Sequence, residues 1–276
     1  MIVAVLGRRS NQNATASTPD FHDCIVALSF VGSARRASSP LARAQWTRTL
    51  ALQKGSDDLQ PIISRDLPGA YHSYETWMQS KRPAFAQTKR AILDQYFDAE
   101  IQLDPSVVSD VLDDILAHSG RVLIFGLGYD SKMWYQAAGG NRITFIENDP
   151  EYVALNGDLN RSSIVLFDYD SIDVGTSFGM LEEKTIQYSL PPSVLAGAPY
   201  DVILIDGPPG YRAELPGRYL PIFWSSRSLS HPGTLVYVDD VDRKLEADAV
   251  HRYLMPAASL VKYYPSRGGA AKFLCR

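Results

Sequence analysis

From residue 122 to the end of the chain, short apolar runs alternate with stretches whose apolar positions recur at helical spacing. RVLIFGLG, RITFIEND, SSIVLFDYD, YDVILID, GTLVYVDD and AAKFLCR each carry a compact apolar run bounded by Gly, Asp or Arg. Runs this short, without polar alternation, predict strands covered on both faces. SKMWYQAA, PEYVALNGDL, PGRYLPIFWSSRSL and KLEADAVHRYL lie between them and read as helices, with an irregular connection ahead of YDVILID. Strand and helix in alternation call for a parallel sheet with helices on both faces. The fold class expected is α/β: a Rossmann-like, doubly wound, mostly parallel sheet.

Upstream, DPSVVSDVLDDILAHSG reads as one helix, with Asp104 as N-cap, Pro105 at its first position and Gly120 just past its end. Val107, Val108, Val111, Leu112, Ile115 and Leu116 form its apolar stripe. YETWMQSKRPAFAQTKRAILDQYF sets Trp77, Phe85, Ile92, Leu93 and Phe97 among charges, as in an amphipathic helix interrupted near Pro83. Within residues 1–65, a polar tract and a Ser/Ala/Arg-rich tract predict loop or partial disorder. DCIVALSFVG between them fits a strand or a buried helical turn. The expected division is an N-terminal segment with a helical cap, residues 1–104, and a ligand-binding sheet domain, residues 105–276.

Composition narrows the classes. The chain is 45% hydrophobic and 21% charged with a net charge of -4, ordinary for a globular protein and short of the basic excess of a nucleic-acid binder. Its two cysteines, Cys24 and Cys275, cannot form a disulfide framework and read as reduced thiols. MIVAVLG is too short for a signal peptide, and Arg8 and Arg9 follow it instead of preceding it. No run approaches the ~20 apolar residues of a membrane span. The expected setting is cytoplasmic, with no membrane and no nucleic acid as partner.

The candidate chemistry lies where strands end. In an open parallel sheet, ligands bind outside the carboxyl ends of the strands, where strand order reverses. Gly126 and Gly128 end the first strand and let a ligand approach the backbone without a β-carbon in the way. Ser131, where the dinucleotide fingerprint would have its third glycine, breaks that pattern, and Asp130 would repel a pyrophosphate. An S-adenosylmethionine-type ligand fits better, with Asp130 meeting its ammonium group and the helix start near Ser131 offering N–H groups. Glu147, at the end of the second strand and 19 positions after Gly128, suits ribose hydroxyls, and equally an acid opening the next helix.

The fourth strand ends at Asp206 and the fifth at Asp239 and Asp240, with Asp242 close behind. Carboxylates converging there need a cation between them: a substrate amine, a sulfonium, or a divalent metal held by Asp206 and Asp240. Asp242 reads more simply as a helix cap or a solvated charge. DGPPGYRAELPGR between these strands has the make-up of an active-site loop. It offers Tyr211 for the chemistry, and Arg212 and Arg218 to bind a substrate carboxylate. Tyr74 and Trp77 of the cap, with Tyr71 and Trp134, can enclose a cation or belong to ordinary core.

VLIFGLGYDSKMW, TFIENDPEY, YDVILIDGPPGY, PGRYLPIFW and DVDR occur in the order found in the glucuronoxylan 4-O-methyltransferase family of plants, which the sequence resembles over roughly Val122 to Arg243. The resemblance implies a class I S-adenosylmethionine-dependent methyltransferase fold and methylation of O4 of glucuronic acid side chains, with stimulation by a divalent metal. It also implies that Gly126, Gly128, Asp130 and Glu147 bind the cofactor, that Asp206 and Asp240 serve catalysis or metal, and that Arg218 shapes the substrate site. Plant members carry His at the position of Asp239, and a Golgi membrane anchor.

The expected function is O-methylation of a small or oligomeric hydroxylated acceptor, a uronic acid among the candidates. Two other readings stay open. A sealed pocket would let S-adenosylmethionine be its own substrate, cyclising to azetidine-2-carboxylate with release of methylthioadenosine. A non-catalytic cofactor-binding module is the third.

Overall fold

Alternate residues of each strand face opposite sides of the sheet, and here both sides are core. The computed structural model describes residues 85–96, 98–170, 172–183 and 190–276. Its strands are β1 (Val122–Phe125), β2 (Ile143–Glu147), β3 (Ile164–Leu166), β4 (Val202–Ile205), β5 (Leu235–Asp239), β6 (Ala258–Tyr264) and β7 (Ala270–Cys275). Leu123, Phe125, Ile203, Ile205 and Val236 point into one core. Val122, Ile124, Val202, Leu204 and Leu235 point into the other.

Helical residues 85–95 (α1) are followed by α2 (Pro105–Ala117), α3 (Ser131–Ala137), α4 (Pro150–Leu155), α5 (Val174–Glu183), α6 (Pro192–Gly197), α7 (Tyr219–Trp224) and α8 (Lys244–Ala249). Helices α7 and α8 cover the first core, where Trp224 and Tyr219 are fully buried. Helices α2 and α3 cover the second, with Ile92 of α1 packed beside them. Lys89 ties α1 to α2 through Asp113 at 2.8 Å and the Ser109 hydroxyl at 2.7 Å.

The sheet order is β3-β2-β1-β4-β5-β7-β6. Strands β1 to β5 run parallel, while β7 is antiparallel to both β5 and β6. The chain moves outward from β1 to β3 and then returns to place β4 on the other side of β1. The switch point is therefore between β1 and β4. The expected Rossmann-like, mostly parallel sheet is what the chain forms.

Details differ. Asp104 caps α2, accepting from Ser106 N–H at 2.9 Å, and Pro105 stands at the first position. Gly120, however, does not close that helix. A β-carbon there would fall 1.8 Å from the Asp201 carboxylate, so the glycine makes room for it. Leu116 is only partly buried, and the stripe holds Asp114 instead. Asp114 is paired with Lys272 of β7 at 2.7 Å and accepts from the Tyr237 hydroxyl of β5. Helix α4 stops at Asn156. Strand β6 was not expected: it is an edge strand with a register irregularity between Leu260 and Lys262, which breaks its two-residue period. No helix among the described residues is long and apolar enough to cross a membrane.

Candidate functional site

The turns after β1 and β4 touch at the switch point. Gly126 has φ +109, a conformation that side chains rarely adopt, and a β-carbon on it would lie 3.2 Å from Gly207 N. One on Gly207 would lie 2.9 Å from Gly126 Cα. These glycines let two loops close on each other.

Gly128 N–H donates to the Ser131 hydroxyl at 2.8 Å, and Gly128 C=O accepts from the Asn156 amide at 3.3 Å. Ser131 is fully buried, and its hydroxyl shapes the turn from within. Asn156, the end of α4, clamps the turn from the other side. The sequence pattern places Asn156 inside the helix PEYVALNGDL; the helix instead ends at it, which frees its amide for the turn. Asp130 is buried beside the turn. That burial raises its carboxyl above the usual range, against the lowering influence of the Trp134 indole.

Glu147 is the hub of this side. Its carboxylate accepts from Leu127 N at 2.6 Å, Asn148 N at 2.7 Å and Asp149 N at 2.6 Å, joining the β1 turn to the end of β2. Burial pushes its pKa up, and the three amides hold it down in part. A carboxylate has about four acceptor positions, so one remains for a ligand.

The cation required by the acidic strand ends is Arg218. It lies in the crevice floor with its side chain 5% exposed, 3.2 Å from Asp206, 3.0 Å from Asp239 and 2.9 Å from Asp240. It also donates to the Asp206 carbonyl at 2.6 Å, while its backbone N–H donates to buried Glu246 at 3.2 Å. Burial alone would lower the guanidinium pKa; Asp240, Asp239, Asp206 and Glu246 outweigh it and raise it. Arg243 adds a second cation on Asp240 at 2.7 Å. This corrects two expectations. Arg218 is a buried structural cation and has no open fork for a substrate carboxylate. A metal between Asp206 and Asp240 is not supported either: the guanidinium takes that place, and among the described residues no group of three or more His, Cys, Asp or Glu could hold a metal ion.

Asp240 sits at φ +58, in the left-handed region, where a non-glycine residue costs on the order of 1–3 kcal/mol. Its two ion pairs hold it there. Asp242 caps no helix: Tyr263 of β6 donates to it at 2.9 Å. Among the three carboxylates on Arg218, Asp206 is the most open, at 31% against 19% for Asp239 and 16% for Asp240. Protein surrounds it on its other sides, and this desolvation raises its pKa well above the usual carboxylate value. Arg218 opposes that rise, while Asp239, Asp130 and Asp240 add to it.

The loop after β4 is fixed at its base and open at its tip. Gly217 N–H donates to the Pro209 carbonyl at 3.0 Å, and Val174 N–H of α5 to the Ala213 carbonyl at 3.1 Å. Glu246 packs beneath, where a β-carbon on Gly210 would meet it at 2.9 Å. Nothing in the sequence singled out Glu246, which lies within the helix KLEADAVHRYL. At the tip Tyr211 is 62% exposed, with the Arg212 guanidinium 5.1 Å from its ring centroid. Tyr71, Tyr74 and Trp77, expected at the substrate side, lie outside the described residues.

No protein-family model matches the chain. The chain is similar to Glucuronoxylan 4-O-methyltransferase 1 of Arabidopsis thaliana, 32% identical over 147 residues, covering 45% of this chain and 51% of that protein. It is similar also to Arabinogalactan O-methyltransferase 2 of the same plant, 30% identical over 156 residues, covering 48% and 54%. Among solved structures, an O-methyltransferase from Bacillus cereus in complex with SAH aligns with a TM-score of 0.41 at 16% identity, over 73% of this chain and 99% of that one. The chain spans about half the length of the curated relatives it matches. The resemblance carried by the strand-end motifs is thus found again over just under half of the chain, and the relatives matched there are named as O-methyltransferases.

Proposed function

We propose that the chain is an S-adenosylmethionine-dependent O-methyltransferase whose acceptor is a hydroxylated saccharide, in free or oligomeric form. The observation that carries this reading is an open carboxylate, Asp206, at the switch-point crevice of a sheet whose relatives are named as O-methyltransferases. The fit to the cofactor rests on charge. Asp206, Asp239, Asp240 and Glu246 are four carboxylates, and Arg218 and Arg243 are two guanidiniums, which leaves two negative charges uncompensated when all are ionised. S-adenosylmethionine, with a sulfonium and an ammonium against one carboxylate, carries a net positive charge that meets part of that surplus. Glu147 has one acceptor position left for a ribose hydroxyl, and partly buried Phe167, bonded through its N–H to the Glu147 carbonyl at 2.8 Å, gives apolar surface for a base.

When bound, S-adenosylmethionine supplies an electrophilic methyl group, so the protein's share is alignment and proton removal. In this reading Asp206 accepts the acceptor's hydroxyl proton. Arg218 fixes its position through both its carboxylate and its carbonyl.

The test is incubation with methyl-labelled cofactor and a panel of acceptors that includes glucuronic-acid-substituted xylo-oligosaccharides, followed by mass spectrometry. Labelled saccharide with S-adenosylhomocysteine is the expected outcome. Methylthioadenosine formed without any acceptor would replace this reading with cyclisation of the cofactor.

A further inference from the structure

Three large side chains on the segments that follow β1, β2 and β4 stand open to solvent: Tyr129 (44%), Tyr152 (36%) and Tyr211 (62%). Single exposed aromatics are ordinary. These three come from separate elements, the β1 turn, α4 and the β4 loop, and those elements are fastened to one another. Asn156 joins α4 to Gly128, next to Tyr129, and Gly207 of the β4 loop rests on Gly126. The same Asn156 amide donates to the Tyr152 carbonyl at 3.0 Å, which brings that part of α4 against the β1 turn. None of the three rings belongs to either core.

Their chemistry points to a sugar. A tyrosine offers a flat apolar face with a hydroxyl at its edge. A pyranose ring offers a C–H face rimmed with hydroxyls. A polyphosphate or nucleic acid would meet the acids Glu147, Asp149 and Asp206 at the crevice. The cation at the rim is Arg212, held over the Tyr211 ring, and its planar fork matches a carboxylate.

We propose that Tyr129, Tyr152 and Tyr211 form a platform on which the sugar rings of an oligosaccharide acceptor stack, with Arg212 reading the carboxylate of a uronic acid residue. This moves Tyr211 from proton chemistry to acceptor binding. It rests on the methyl-transfer reading, and it adds the residues that select the acceptor.

The experiment compares Tyr152→Ala, Tyr211→Ala, their Phe counterparts and Arg212→Ala in the full chain. Cofactor affinity is measured by calorimetry, and initial rates with glucuronic-acid-substituted xylo-oligosaccharides. Each Tyr→Ala change should raise the acceptor KM by about tenfold, with kcat at saturating acceptor and cofactor Kd within about twofold. The Phe variants keep the ring face and lose only the edge hydroxyl, so they should raise KM by less than the Ala variants do. Arg212→Ala should weaken binding of the acidic oligosaccharide and leave binding of the unsubstituted xylo-oligosaccharide unchanged. Saturation-transfer NMR on the wild type should show magnetisation passing from aromatic protons to sugar ring protons. Unchanged KM in the Ala variants, with cofactor binding and turnover intact, would overturn the platform and leave methyl transfer standing. A wild-type chain that binds no S-adenosylmethionine would instead remove the reading beneath it.

Discussion

Arg218 is 2.9 to 3.2 Å from three carboxylates that a sequence can count but cannot pair. The spacing of strand-end acids made the need for a cation legible. Which cation was not, because Arg218 lies 12 residues from Asp206 and 21 from Asp239, and only the folded β4 loop brings it under both. Since the guanidinium takes the central place, treatment with a chelator should leave methyl transfer unchanged in a rate assay, whereas Arg218→Ala should cost about 3–5 kcal/mol of stability by stranding buried charge. Glu147 is the second decisive residue. Its three short amide bonds mean that Glu147→Ala leaves buried N–H groups unpaired, at about 1–3 kcal/mol each. Glu147→Gln keeps an acceptor oxygen and should fold better. Thermal unfolding should therefore rank wild type, Gln and Ala in that order, and calorimetry should show cofactor affinity falling in both variants. Wild-type affinity in the folded Gln variant would take Glu147 out of the cofactor site.

Elements were legible wherever one strong period held. Strands β1, β4 and β5, buried on both faces, are near-continuous apolar runs, and α2 carries its own start signal in Asp104-Pro105. Strand β6 escaped because only its ends are buried and a bulge shifts its period, so no pattern survives in ASLVKYY. Asp114 escaped for a different reason. It stands in the apolar stripe of α2, where a charge is not expected, and its partners Tyr237 and Lys272 are more than 120 residues away. That pair, with Tyr264 and Lys262 both on Asp110 nearby, fastens α2 to the antiparallel end of the sheet. Lys272→Met should cost about 3–5 kcal/mol in denaturant unfolding, because it leaves a buried carboxylate without its cation. Adding Asp114→Leu should recover much of the loss, as an apolar pair often replaces a buried ion pair at little cost. Equal destabilisation by the single and double variants would show that the clamp's geometry matters more than its charge.

Across the whole molecule, the sheet gathers buried acids at one end faster than it supplies bases. Asp206, Asp240, Asp130, Glu147 and Glu246 all have folded pKa values raised first by burial. Each therefore holds its proton more tightly folded than unfolded. Their contribution to stability is complete below their unfolded values and is lost as pH rises through the folded ones. Asp110 works the other way, because its bonds to Lys262 and Tyr264 overcome burial and lower it. Asp158 and Asp173 are lowered too but lie at the surface, where solvent screens them, so the five raised groups dominate and the free protein should unfold more easily at neutral than at mildly acidic pH. A bound cation reverses this, because it stabilises the ionised carboxylates and lowers their pKa values. Binding should then release protons, and affinity should rise with pH until the free-protein carboxylates are ionised, where it levels off. Calorimetry in buffers of different ionisation enthalpy counts those protons. S-adenosylhomocysteine lacks the sulfonium charge but keeps the ammonium, so it separates the two cations. If Asp206 faces the sulfonium, S-adenosylmethionine should release more protons than S-adenosylhomocysteine and bind with the steeper pH dependence. Equal release by both ligands would place the ammonium beside Asp206 and deny that carboxylate its role as the base for the acceptor hydroxyl.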